Sequence, residues 1–182
     1  MRRLVWDPFI RTFHWSLVFA FFFAYLLDGD YPTFHSLAGY TVLLLIGFRL
    51  AWGFIGPRHA KFSDFLVSPQ STLQYFRSAI QRKGPHYQGH DPGGGVMIVF
   101  LLLTLTGTGL TGAILFGMEG SGPFADTVFS NLEGQKIEGL HGLLANLCLG
   151  LILVHLAGVL LMSWVSKENL IKSMIDGRKN DK

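Results

Sequence analysis

The stretch GLHGLLANLCLGLILVHLAGVLLMSW (139–164) decides the fold. It is long and apolar enough to cross a bilayer as a helix. It carries His141 and His155, and ionisable residues inside a span are costly and generally serve a function. At about 100° per residue, fourteen positions leave an offset of roughly 40°, so both imidazoles leave one helix face. At about 1.5 Å per residue they stand roughly 21 Å apart along the axis. In a hydrocarbon core about 30 Å thick, that puts one near each leaflet. Imidazoles stacked across a membrane on one face point to two cofactors, one above the other.

Outward from this run, three more apolar stretches complete a set of expected spans at 10–27, 35–56, 95–116 and 139–165. The expected fold is an all-α membrane protein, a four-helix transmembrane bundle forming a single domain over 1–182. Two short amphipathic interfacial helices should accompany it. One follows Ser68-Pro69, an N-cap with proline at the first helical position, and spaces Leu73, Phe76 and Ile80 along one face. The other lies in the tail, with Leu170, Ile171, Met174 and Ile175. Composition agrees: of 182 residues 49% are hydrophobic, only 15% are charged, and sixteen are Phe. Mean hydropathy is +0.37. The basic residues flank apolar runs and form no stripe of their own, which argues against nucleic acid as a partner. Cys148, the sole cysteine, sits inside the last span and reads as a packing residue, and no CxxCH is present to attach haem covalently.

The third span has no histidine. Its Gly107, Gly109 and Gly112 allow close helix packing and could also make room for a flat macrocycle. Thr104, Thr106, Thr108 and Thr111 can satisfy their hydroxyls on backbone carbonyls.

Charge sets the orientation. The leader with Arg2 and Arg3, the linker with Arg58, Lys61, Arg82 and Lys83, and the tail hold every Lys and Arg outside the spans except Lys136. By the positive-inside rule these segments, and both termini, face the cytoplasm. The acidic loops, Asp28 to Pro32 and Gly117 to Glu138, then face outward. In a bacterium this describes a multi-pass inner-membrane protein with a periplasmic face.

Depths follow from this topology. His35 opens a span from the outside, level with His141, while His14 lies near the inner face, level with His155. Each level pairs histidines on different helices, as bis-histidine ligation of two b-type haems in a four-helix bundle requires. Zinc would need further ligands, and no cysteine cluster or intramembrane carboxylate supplies them. A histidine-lined metal or proton transporter, the reading from a different class, would want those carboxylates too. His59 and His86 read as solvated linker residues.

The runs WDPFIRTFHW (6–15), HSLAGYTVLLLIGFRLAWGFIGPRHAKFSDF (35–65), GHDPGGG (89–95), HGLLANLCLGLILVH (141–155) and KENLIKSMIDGRK (167–179) resemble the bacterial cytochrome b561 family. That family includes the b-type cytochrome subunits of nickel–iron hydrogenases, and the resemblance covers nearly the whole chain. It implies two haems b, exchange of electrons with the quinone pool, and axial ligands at His14, His35, His141 and His155. The expected role is electron transport in a respiratory chain, between membrane quinone and a periplasmic redox partner such as a c-type cytochrome or a hydrogenase. Quinone oxidoreductase activity, with superoxide as the electron source, is the alternative within the family. Oligomeric state is left open.

Two further positions join the candidate site. His90 and Asp91 lie at the inner edge, where they can hydrogen-bond a quinone or simply turn the chain into the third helix. Arg49 stands fourteen residues after His35, so it returns to the ligand face about 21 Å deeper. There it meets a haem propionate as a fork on a carboxylate, or snorkels to the interface.

Overall fold

The computed structural model describes residues 2–27, 29, 31–80, 87 and 89–180. Asp28 and Asp30 of the first acidic loop, and Arg82, Lys83 and His86 of the basic linker, lie outside the described residues. In chain order the elements are β1 (Arg2–Leu4), α1 (Pro8–Leu26), α2 (Pro32–Ile55), a 3-10 turn (Arg58–Ala60), α3 (Phe62–Phe65), α4 (Pro69–Ile80), α5 (Pro92–Met118), a 3-10 turn (Val128–Asn131), α6 (Gly134–Ser166), α7 (Leu170–Asp176) and β2 (Arg178–Asn180). Among the described residues four helices, α1, α2, α5 and α6, are long and apolar enough to cross a membrane. The protein is an all-α membrane protein, as its hydropathy predicts.

Local chemistry sets where these helices begin. Asp7 accepts from the backbone N–H groups of Phe9 (2.9 Å) and Ile10 (3.1 Å), capping α1. Asp91 does the same for α5 through Gly94 N–H at 2.8 Å. In both helices proline takes the first position, where a missing N–H costs nothing. Ser68 caps α4 through Ser71 N–H at 3.2 Å, as its sequence predicts. α6 starts at Gly134, ahead of the apolar run, and the added turn is polar, with Lys136 paired to Glu133 at 2.9 Å.

The described chain falls into two compact units, to each of which all four long helices contribute. The first comprises Met1–Phe13, Arg49–Phe100 and Ile152–Lys182. Its apolar centre is Val5, Trp6, Ile10 and Ala60, with Trp52 and Met174 packed against it. The leader, expected only to lie at the interface, forms β1 and pairs antiparallel with β2, Arg2 opposite Asn180 and Leu4 opposite Arg178. Gly177, at φ +80°, ends α7 in the left-handed conformation that glycine adopts without strain. Its carbonyl then accepts from Val5 N–H (2.8 Å) and Trp6 N–H (3.1 Å), closing the clasp between the chain ends.

The second unit comprises His14–Phe48 and Leu101–Leu151. It is a ring of four helix segments with a contact at each seam. His35 of α2 bonds to Ala24 of α1. Leu43 of α2 lies where a Cβ at Gly109 of α5 would stand, 2.5 Å away. His141 of α6 bonds to Thr108 of α5. Tyr25 of α1 donates to Asn146 of α6 at 2.9 Å. The α5 threonines satisfy themselves as expected: Thr106 donates to Leu102 C=O, Thr108 to Thr104 C=O and Thr111 to Gly107 C=O. Cys148 is a buried free thiol, in keeping with a packing role.

Candidate cofactor site

Inside the second unit the helices leave a cavity of about 250 Å³, lined among others by His35, Tyr40, His141 and Asn146. Both imidazoles are fixed from behind. The His35 Nδ1 lies 2.9 Å from the Ala24 carbonyl in the last turn of α1, which also accepts from Leu27 N–H at 3.2 Å. The His141 Nδ1 lies 3.0 Å from the Thr108 carbonyl, with the Thr111 hydroxyl at 3.1 Å. A carbonyl only accepts, so each Nδ1 carries the proton. That tautomer leaves Nε2 with its lone pair, the arrangement by which a second partner orients a metal-binding histidine.

The two rings are 6.0 Å apart, centroid to centroid, at 71°. Imidazoles on opposite sides of one metal ion, each bound through a nitrogen about 2 Å away, have centroids roughly 6 Å apart. The spacing therefore fits one metal between them. Among the described residues no three His, Cys, Asp or Glu cluster to complete a protein-only metal site. Two imidazoles beside a cavity suit a metal whose other ligands arrive with it, as in haem. Gly39 and Gly142 line the same cavity, and a Cβ on either would meet nothing within 4 Å, so both face open space. Gly112 serves differently: a Cβ there would stand 3.0 Å from His141 Cε1, so its absence lets the ring lie against α5. The α5 glycines thus divide, Gly107 and Gly109 packing against Leu144 and Leu43 while Gly112 seats a histidine.

The other expected residues are placed as follows. His14 is half-buried on α1, edge-on to Trp15 with centroids 5.1 Å apart. His155 is half-buried on α6. Arg49 is only 3% exposed, so it does not snorkel to the protein surface. Its guanidinium lies over the rings of Phe62 (4.7 Å) and Phe65 (5.9 Å), and its Nη1 has no hydrogen-bond partner among the described residues. His90 packs between Trp6 (4.4 Å) and Phe65 (5.1 Å), and Asp91 is engaged as the α5 cap.

Three neighbours of that turn escaped the sequence reading. The buried Tyr75 hydroxyl bonds to Asp91, and burial first, then the Asp91 charge, pushes its pKa up. Lys179 is buried with its Nζ 3.0 Å from Gly89 C=O, and burial lowers its pKa against the opposing pull of Glu168 and Asp91. His59, read as solvated, is half-buried and lies 2.9 Å from Asp64. A one-dimensional pattern gives no sign of these partners, because they come from the linker, the helix cap and the chain end.

Four membrane-length helices, with a glycine-bordered cavity and two imidazoles beside it, define a helical membrane protein with room for a bound group. The chain belongs to the prokaryotic cytochrome b561 family, whose profile matches residues 5–177. It is accordingly a membrane protein of haem b electron transfer. A probable Ni/Fe-hydrogenase B-type cytochrome subunit of Rhodobacter capsulatus is 24% identical, the match covering 81% of this chain and 62% of that one. A protein of the same description from Azotobacter chroococcum mcd 1 is 23% identical over 95% of this chain and 86% of its own. The chain therefore spans less than two thirds of the first relative's length. No solved structure matches it.

Proposed function

We propose that the whole chain, 1–182, acts as one dihaem b-type cytochrome in a bacterial inner membrane, carrying electrons between the quinone pool and a redox partner at the periplasmic face. The observation that carries this reading is the pair His35 and His141, 6.0 Å apart with both Nδ1 atoms on backbone carbonyls. His14 and His155 would hold the second haem. The spacing argument for two levels applies to an unbroken helix, and α6 runs without interruption from Gly134 to Ser166. Haem supplies a one-electron iron couple when bound. The chain's own work is to fix the ligand tautomers, to exclude water with its Leu- and Phe-rich helices, and to place charge near the cofactor through Arg49.

Quinone exchange is assigned to the inner edge, at His90 and Asp91. Tyr75 and Lys179 add a phenol and an ammonium there, groups suited to a quinone oxygen. The relatives' description as Ni/Fe-hydrogenase subunits favours a hydrogenase as the redox partner.

Haem stoichiometry tests the reading directly. The purified protein should carry two haems per chain, all extractable with acid acetone, since no CxxCH holds them. A redox titration should resolve two one-electron steps. One haem per chain, or haem that stays with the polypeptide, sinks the dihaem proposal.

Topology is checked separately. Reporter fusions after Lys182 should signal cytoplasm, and fusions within 117–138 should signal periplasm. The opposite pattern would move the quinone edge to the other side of the membrane.

A further inference from the structure

Several polar side chains around the cavity are satisfied from within the protein. His35 and His141 are bonded through Nδ1, Asn146 accepts from Tyr25 and donates to Gly142 C=O, and Thr108 donates to Thr104 C=O. Tyr40 differs from these. It lines the cavity five residues after His35, and its hydroxyl is buried without a hydrogen-bond partner among the described residues. A buried hydroxyl left unmet is destabilising, and a phenylalanine would fill the same space without that penalty.

The surroundings fix which way the phenol points. Side chains on a helix lean toward its N-terminus, and α2 begins at Pro32. The Phe116 ring lies edge-on to Tyr40, centroids 6.1 Å apart. Gly122, at φ +77°, brings the loop after α5 so close that a Cβ there would stand 2.6 Å from the Tyr40 oxygen. The hydroxyl is thus held at the end of the cavity bordered by the 117–126 loop.

We infer that Tyr40 is a positioning residue that donates its hydroxyl proton to a propionate carboxylate of the haem held by His35 and His141. The inference rests on the ligation proposed above. The macrocycle is otherwise apolar, so its carboxylates are the groups that a buried phenol donor at this end of the cavity can serve. A hydroxyl-to-carboxylate bond is charge-assisted and short. It orients the haem with its propionate edge toward the 117–126 loop, and by spreading the propionate charge it makes the iron easier to reduce.

The test is Tyr40→Phe in the full-length purified protein, read by haem content, redox titration and the propionate bending modes in resonance Raman. The variant keeps the ring and its packing. Both haems should be retained. The reduction equilibrium of the haem that depends on His35 should shift about threefold toward the oxidised form, about 30 mV lower for one electron, with a displaced propionate mode. The other haem should not move. Full haem content with unchanged potentials and unchanged propionate modes overturns the inference while leaving the ligation intact. Haem content unaffected by His35→Ala would overturn the ligation itself, and the Tyr40 assignment with it.

Discussion

Replacing His141 with alanine should cut the haem content from two per chain to about one, and His35→Ala should remove the same haem. The two imidazoles share one cavity at a spacing that fits a single metal, and each is locked into the ligand tautomer by a carbonyl. Loss of either would leave a single imidazole to hold a haem that has no covalent attachment. The double variant should lose no more haem than either single one, since residues that act as a unit are not additive. His14→Ala and His155→Ala should together define the other haem, with the His35-dependent one left in place. The measurement is haem per protein after purification, with the remaining haem assigned by its potential. If His35→Ala and His141→Ala abolished different haems, the pairing would be wrong even though the total count held.

That His35 and His141 come close together was legible in the sequence, because two spans that run in the same direction through a membrane bring their first histidines to one level. Likewise the four long helices follow from apolar runs that only a bilayer or a large core could hide. Helix starts were less visible. α6 begins five residues before its apolar run because Glu133 and Lys136 stabilise a polar turn that hydropathy ignores. The β1–β2 clasp was not legible at all. Three-residue strands rich in Arg and Lys carry no alternation, and their pairing depends on Gly177 turning the chain end back toward Val5 and Trp6.

Sequence reasoning also proposed His35 and His141 as ligands without seeing what holds their rings. Thr108 and Thr111 were expected to satisfy their hydroxyls on backbone carbonyls, and they do, but the same turn of α5 also presents the carbonyl that holds His141. Tyr40 gave no signal, since an aromatic residue in an apolar span looks like core until its oxygen is seen to lack a partner among the described residues. In each case the missing information was which helix faces which, and that is set by side-chain packing rather than by periodicity.

Arg49→Leu should lower the midpoint potential of the haem assigned to His14 and His155, with haem content retained. A guanidinium in a span is expensive unless something negative meets it. Arg49 is buried, its Nη1 is without a hydrogen-bond partner among the described residues, and the rings of Phe62 and Phe65 offer only their faces. Asp7, the carboxylate within electrostatic reach, is already engaged by the first N–H groups of α1. By sequence spacing alone, fourteen helical residues after His35 return to within roughly 40° of the same face. A haem propionate there would complete the guanidinium with two parallel hydrogen bonds. Removing a cation favours the oxidised, more positive iron, so the potential falls. A unit charge about 10 Å from the iron, at an effective dielectric of about 20, is worth about 1.7 kcal/mol. For one electron that is about 70 mV. The other haem, about 20 Å further along the helix rise, should shift less than half as much. Arg49→Lys should fall between, since the charge stays and the fork is lost. A titration in which both haems move equally, or in which neither moves while both are retained, would break the pairing of Arg49 with the cofactor.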